Sequence, residues 1–156
     1  MKFSFESLDD LSLAGGSPYF MDFGTMDSTE DAAIAEGKLL SVFGEPTHRS
    51  ENYENSFEYI IRATSEDGRS VILTVYHVGV VHIGADQPDN FAQEAARALI
   101  DYVSAATPAD YERTLYYLDF NLQIDISVKN GVATVTQSEM SYEKAMELFN
   151  KWYSQS

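Results

Sequence analysis

Residues 56–79, "SFEYIIRATSEDGRSVILTVYHVG", decide the fold. Phe57, Tyr59, Ile61 and Ala63 recur at every second position, and Val71, Leu73 and Val75 repeat the pattern further on. Successive side chains of a strand leave opposite faces, so period two means a strand with one buried face. Between the runs stands Asp67-Gly68, a dipeptide that favours the backbone of a tight hairpin turn. The stretch therefore predicts an antiparallel hairpin.

Just downstream, "VYHVGVVHIGAD" (75–86) holds two of the three histidines and an aspartate. A two-residue turn at Val78-Gly79 pairs His77 with Val80 and puts both imidazoles on one face. A three-residue turn, 78–80, pairs His77 with Val81 instead. It keeps Val71, Leu73, Val75, Val81 and Ile83 together, with Thr74, Tyr76 and His82 opposite. A slip of one residue would flip that apolar set, so the second register is preferred. It separates the histidines, leaves His77 at a fraying strand end, and argues against a metal or catalytic pair.

Working outward, Ser28 and Asp31 resemble a capping box ahead of a helix. Ala32, Ala35, Leu39, Val42 and Phe43 share one face of it, Gly44 suits a left-handed stop and Pro46 prevents resumption. Pro88, with Asp86 or Asp89 near the start, opens a second helix whose stripe is Phe91, Ala95, Ala98, Leu99, Tyr102 and Val103. "TPAD" (107–110) reads as a short helical turn. In "LYYLDFNLQIDISVKNGVATV", Leu118, Phe120, Leu122, Ile124, Ile126 and Val128 alternate with Asp119, Asn121, Gln123, Asp125 and Ser127. That predicts one long strand over 118–128, closed into a hairpin by Asn130-Gly131. A last helix over about 141–153 would bury Tyr142, Ala145, Leu148, Phe149 and Trp152. The expected fold is a single α+β domain over 1–156. Its order is α-βββ-α-ββ-α, one antiparallel sheet of about five strands with helices on one face. Residues 1–26 read as an irregular segment, with Tyr19, Phe20 and Phe23 pinning it to the core.

Composition narrows the function. A chain of 156 residues with 44% hydrophobic residues can build its own core. It has no cysteine, which excludes disulfides, thiolate zinc sites and a cysteine nucleophile. No apolar run of membrane or signal-peptide length is present, so a soluble, cytoplasmic protein is expected. The formal charge is −15, and residues 1–54 alone carry eleven acids against three bases. Such a surface repels phosphate backbones and anionic lipid, so neither nucleic acid nor membrane is an expected partner, while a basic protein is attracted. Acidity for solubility alone would look the same.

Catalytic motifs are missing. There is no GxSxG elbow, and "DFG" at 22–24 has no accompanying kinase loops. "DFGTMDSTED" lacks the alternating ligands of a calcium loop, and no glycine loop suits a phosphate. His48 sits in a polar stretch that reads as exposed. Asp119 and Asp125 share a strand face but lie six residues apart, about 20 Å along an extended strand, too far to share one reaction centre. With Asn121 and Gln123 they form a polar row suited to a protein partner. "SENYENSFEY" gathers Glu51, Tyr53, Glu54 and Glu58, and tyrosine among carboxylates suits an interface. No catalytic residue, metal or cofactor is expected.

The helix ending in "LLSVFGEP" and the run "ENYENSFEYIIRATSEDGRSVILTVYHVGVVHIGA" resemble the immunity proteins that bacteria encode beside polymorphic or contact-dependent toxins. The resemblance covers residues 39–85. It implies a non-catalytic inhibitor that binds one cognate toxin domain in the cytoplasm. The expected contact residues are Glu51, Tyr53, Glu54, Glu58, Tyr76, His82, Tyr117, Asp119, Asn121, Gln123 and Asp125. The alternative is a small enzyme or ligand-binding domain with a pocket between sheet and helices, lined by Tyr76, His82 and Tyr117. An adaptor that self-associates is a third reading.

Overall fold

The computed structural model describes residues 1–10, 19–24 and 26–153. In chain order the elements are β1 (Phe3–Leu8), β2 (Tyr19–Asp22), α1 (Thr29–Phe43), β3 (His48–Arg49), β4 (Phe57–Ser65), β5 (Ser70–Val78), β6 (Val80–Ala85), α2 (Asn90–Ser104), β7 (Tyr111–Tyr117), β8 (Leu122–Lys129), β9 (Val132–Glu139) and α3 (Tyr142–Tyr153). The class is α+β, as the sequence predicts, but the strands form two antiparallel sheets rather than one.

The larger sheet has the order β1-β4-β5-β6-β2, with β3 added beside β4. Its centre is the predicted hairpin, and β5 pairs with β6 in the three-residue-turn register, His77 opposite Val81 and Tyr76 opposite His82. Gly79 turns the chain at φ 76°, a value that a side chain disfavours. The irregular segment expected over 1–26 instead supplies two strands. Phe3 and Phe5 on β1 pack against the main core, and β2 pairs with β6. Phe23 is buried there as expected, whereas residues 11–18 and the side chains of Tyr19 and Phe20 lie outside the description.

The smaller sheet, β7-β8-β9, corrects two expectations. Residues 107–110 are not helical. They lead into β7, and Ala109 N–H donates to Gly37 O at 2.9 Å. The long strand over 118–128 does not exist. Leu118–Phe120 form a 3-10 turn and Asn121 takes φ 55°, so the chain reverses and β7 pairs antiparallel with β8. Asn121 holds this conformation because its Nδ2 donates to Met140 O at 3.1 Å. The β8–β9 hairpin turns at Asn130-Gly131 as predicted, both residues at positive φ. Among the described residues β9 keeps its outer edge unpaired.

The helices do not share one face. Ser28 caps α1 by accepting from Asp31 N–H, while Asp31 reaches back to Asp27 N–H rather than to Ser28. Ala32, Ala35 and Leu39 of α1 join α2 in the core under the larger sheet; Ala33 and Ile34 join Leu115, Ile124, Ile126 and Val128 of the smaller one. So α1 is the wall shared by both cores. A Cβ on Gly37 would meet Pro108 Cβ at 2.9 Å and Ala109 O at 3.2 Å, so glycine is what lets the 108–109 backbone close on the helix. Buried Glu36 ties the two sheets together, accepting from Arg49 at 2.9 Å and from Arg113 at 2.8 Å. On α3 only Leu148 is buried, and Tyr142 and Phe149, expected in the core, are exposed. No helix among the described residues is long and apolar enough to cross a membrane.

Candidate functional site

The loop between β3 and β4 is where sequence and structure converge. Ser50 N–H donates to Ser56 O at 3.0 Å, closing the loop, and Asn52 Oδ1 accepts from Glu54 N–H at 3.0 Å to start a 3-10 turn over Tyr53–Asn55. Arg113, anchored on Glu36, donates to Ser50 O at 2.8 Å. Tyr116 N–H donates to Glu51 O at 2.8 Å, and Asn52 bridges Tyr116 in parallel. The loop is thus stitched to the edge of the smaller sheet, beside the turn that breaks the expected long strand.

That placement builds a ridge. Tyr53 stacks on Tyr117 with centroids 4.9 Å apart, and Phe120 meets Tyr117 edge-on at 4.8 Å. Phe120, expected to be buried, is 65% exposed at the end of this stack. Glu54 and Asp119 lie side by side at its rim. Hydrogen bonding to the Asp119 carboxyl, then burial and the like charge, raise Glu54 above the usual carboxylate range. Desolvation, then the charges of Glu54 and Asp119, raise the Tyr117 hydroxyl likewise. Glu51 stands beside Lys151 of α3 at 3.6 Å. Five of the sequence-predicted contact residues, Glu51, Tyr53, Glu54, Tyr117 and Asp119, therefore meet in one patch.

Glu58, Tyr76 and His82 form a second group. Cross-strand pairing sets His48, Glu58, Tyr76, His82 and Asp22 in one row across the outer face of the larger sheet. His82 Nδ1 lies 3.0 Å from Asp22 Oδ1, and its ring is 5.4 Å from that of Tyr76. Beside the row opens a cleft of about 330 Å³ lined by His48, Asn55, Phe57, Glu58, Thr74, Tyr76 and His77. It contains Tyr76 but neither His82 nor Tyr117. His48 is partly buried rather than exposed. His77 does not fray. It is 3% exposed, bonded to Ser56 Oγ at 2.7 Å, and packed between Phe57 and Tyr53.

The expected polar row on β8 is dismantled by the turn. Asn121 spends its amide on Met140, and Asp119 belongs to the ridge. Gln123 and Asp125 remain neighbours on the outer face of the smaller sheet, where Asp125 accepts from Thr114 Oγ1 at 2.8 Å and from Gln123. Among the described residues no three His, Cys, Asp or Glu side chains are grouped to hold a metal ion.

No protein-family model, curated protein or solved structure matches this chain. Its function is therefore argued from the chemistry of these two surfaces.

Three residues central to them are not singled out by the sequence. The register of β5 and β6 puts Thr74 on the Tyr76 face, but nothing marks its hydroxyl as unpartnered, and Asn55 carries no signal. Glu36 carries a weak one, a carboxylate set between Ala32, Ala35 and Leu39 on the apolar side of a helix.

Proposed function

We infer that this chain is a non-catalytic, immunity-type inhibitor that docks its ridge on a basic surface of a cognate toxin domain. One observation carries the reading: an aromatic stack, Tyr53–Tyr117–Phe120, half-buried at its base and exposed at Phe120, with Glu54 and Asp119 at its rim and Glu51 beside it in the same loop. Rigid aromatics surrounded by charge are the composition of an interface hot spot. Two carboxyls held in contact repel once both are ionised, and a cationic partner relieves that repulsion. With −15 charges on the chain, encounter with a basic partner is steered and fast. Occlusion of a basic active site is the mechanism such a surface supports.

Co-expression with the product of the adjacent gene tests this. The native chain should protect the host and co-purify with that product. Glu51→Lys/Glu54→Lys/Asp119→Lys should cut the association rate by about tenfold or more at low salt, and Phe120→Ala should speed dissociation. Full protection by the triple variant, or a product that neither binds nor harms, overturns the reading.

A further inference from the structure

The cleft beside the ridge has the chemistry of a receptor for an organic cation. Thr74 is 2% exposed and lines this cleft, yet its Oγ1 has no hydrogen-bond partner. Buried hydroxyls are nearly always bonded, so an orphan in the wall of a cleft is a bonding capacity that a ligand pressed against that wall would complete. Around it stand the Glu58 carboxylate, the Asn55 amide and the Tyr76 ring. These are two anionic or neutral acceptors and a π face, the set that a planar N–H donor satisfies. No Lys or Arg lines the cleft, and burial holds His77 neutral, its pKa pushed down to about 4. Burial also raises the Glu58 carboxyl, with His48 the opposing influence, so its charge lacks a full counterion. Arg49, the cation next along β3, is committed to Glu36 and Glu45.

We propose that this cleft is a socket for an arginine side chain of the partner, its guanidinium bonded to Glu58 and Thr74 and lying over Tyr76. The inference rests on the partner-binding reading above and names a second anchor for it. The 3-10 turn over Tyr53–Asn55 joins the two, since Tyr53 belongs to the ridge and Asn55 to the cleft. One partner surface can engage both.

The test uses the full isotopically labelled chain without any toxin, titrated with N-acetyl-arginine amide. N-acetyl-citrulline amide serves as the neutral isostere and N-acetyl-glutamate amide as the anion. The proposal expects saturable shifts at Asn55, Glu58, Thr74 and Tyr76 in the millimolar range with arginine, and none with the other two. Glu58→Gln should weaken binding about tenfold, and Thr74→Val, close in volume, several-fold. Chain spectra establish that each variant is folded. Equal shifts from citrulline, unchanged affinity in folded Glu58→Gln, or no saturation with arginine overturns the socket. Because no toxin is present, these outcomes are independent of whether the adjacent gene product binds.

Discussion

An imidazole buried between Phe57 and Tyr53 has little to stabilise a proton. Desolvation is the main reason that His77 titrates near 4; Glu36 and the Gly79 backbone push the other way, while Arg113 and His82 reinforce the drop. An unfolded histidine titrates near about 6.5. Between those values the unfolded chain binds a proton that the native chain refuses, so stability rises with pH there. The contribution is intact above about pH 6.5 and is lost as pH falls toward about 4, on the order of 3 kcal/mol in all. Urea unfolding of the native chain and His77→Phe at about pH 7 and pH 4.5 should show the variant losing about 2 kcal/mol less over that interval. Equal losses would mean that His77 is not the group responsible. This part of the site was half legible: the register of β5 and β6 follows from Val75, Val81 and Ile83. The burial of His77 does not, because it depends on Tyr53 folding over it from a loop.

At the scale of elements, α1 and the strand that follows residue 109 depend on one missing side chain. Gly37→Ala should gain about 1 kcal/mol in helix propensity. It should lose more, about 1–3 kcal/mol, by pushing Pro108 and the Ala109 carbonyl away. A net lowering of the urea midpoint is expected, with faster exchange of the Ala109 amide; an unchanged midpoint would mean that the 107–110 segment yields freely. The sequence shows the same strengths and blind spots elsewhere. The Asp67-Gly68 and Asn130-Gly131 hairpins are readable because their turns sit between clean period-two runs. The 118–121 turn is not, since Leu118 and Phe120 continue the alternation of β8 by coincidence and Asn121 is the sole sign of a reversal. β1 and β2 are missed because Gly15, Gly16 and the surrounding serines suggest loop. On α3 the apolar stripe is real, yet amphipathic spacing says only that a face could be covered, not that it is.

For the whole molecule, the division into two sheets gives Glu36 its importance. It pairs with both Arg49, from the larger sheet, and Arg113, from the smaller, at a point where all three are wholly or largely withdrawn from water. Glu36→Gln leaves Arg113 without a counterion and Arg49 with exposed Glu45 alone, and removal of one member of a buried ionic cluster costs about 3–5 kcal/mol. Hydrogen exchange should show Leu115 and Ile124 losing protection before Leu73 and Val75, as the smaller sheet loosens from α1. Uniform loss across both sheets would mean that the clasp holds the entire chain rather than one joint. Pairing of sequence-distant parts is why this joint was invisible: Glu36, Arg49 and Arg113 are each unremarkable until α1 stands between the sheets.

The open margin of β9 gives the surplus of acid another meaning. Its eight residues, "VATVTQSE", carry a single charge, so the strand offers another molecule an inviting, nearly uncharged ladder of amides and carbonyls. At neutral pH two copies approaching there meet each other's −15 and separate. Near the isoelectric point, about 4.3, that mutual repulsion vanishes while the ladder stays bare. The acids that make this surface complementary to a basic one thus also oppose edge-to-edge pairing between two copies of the chain.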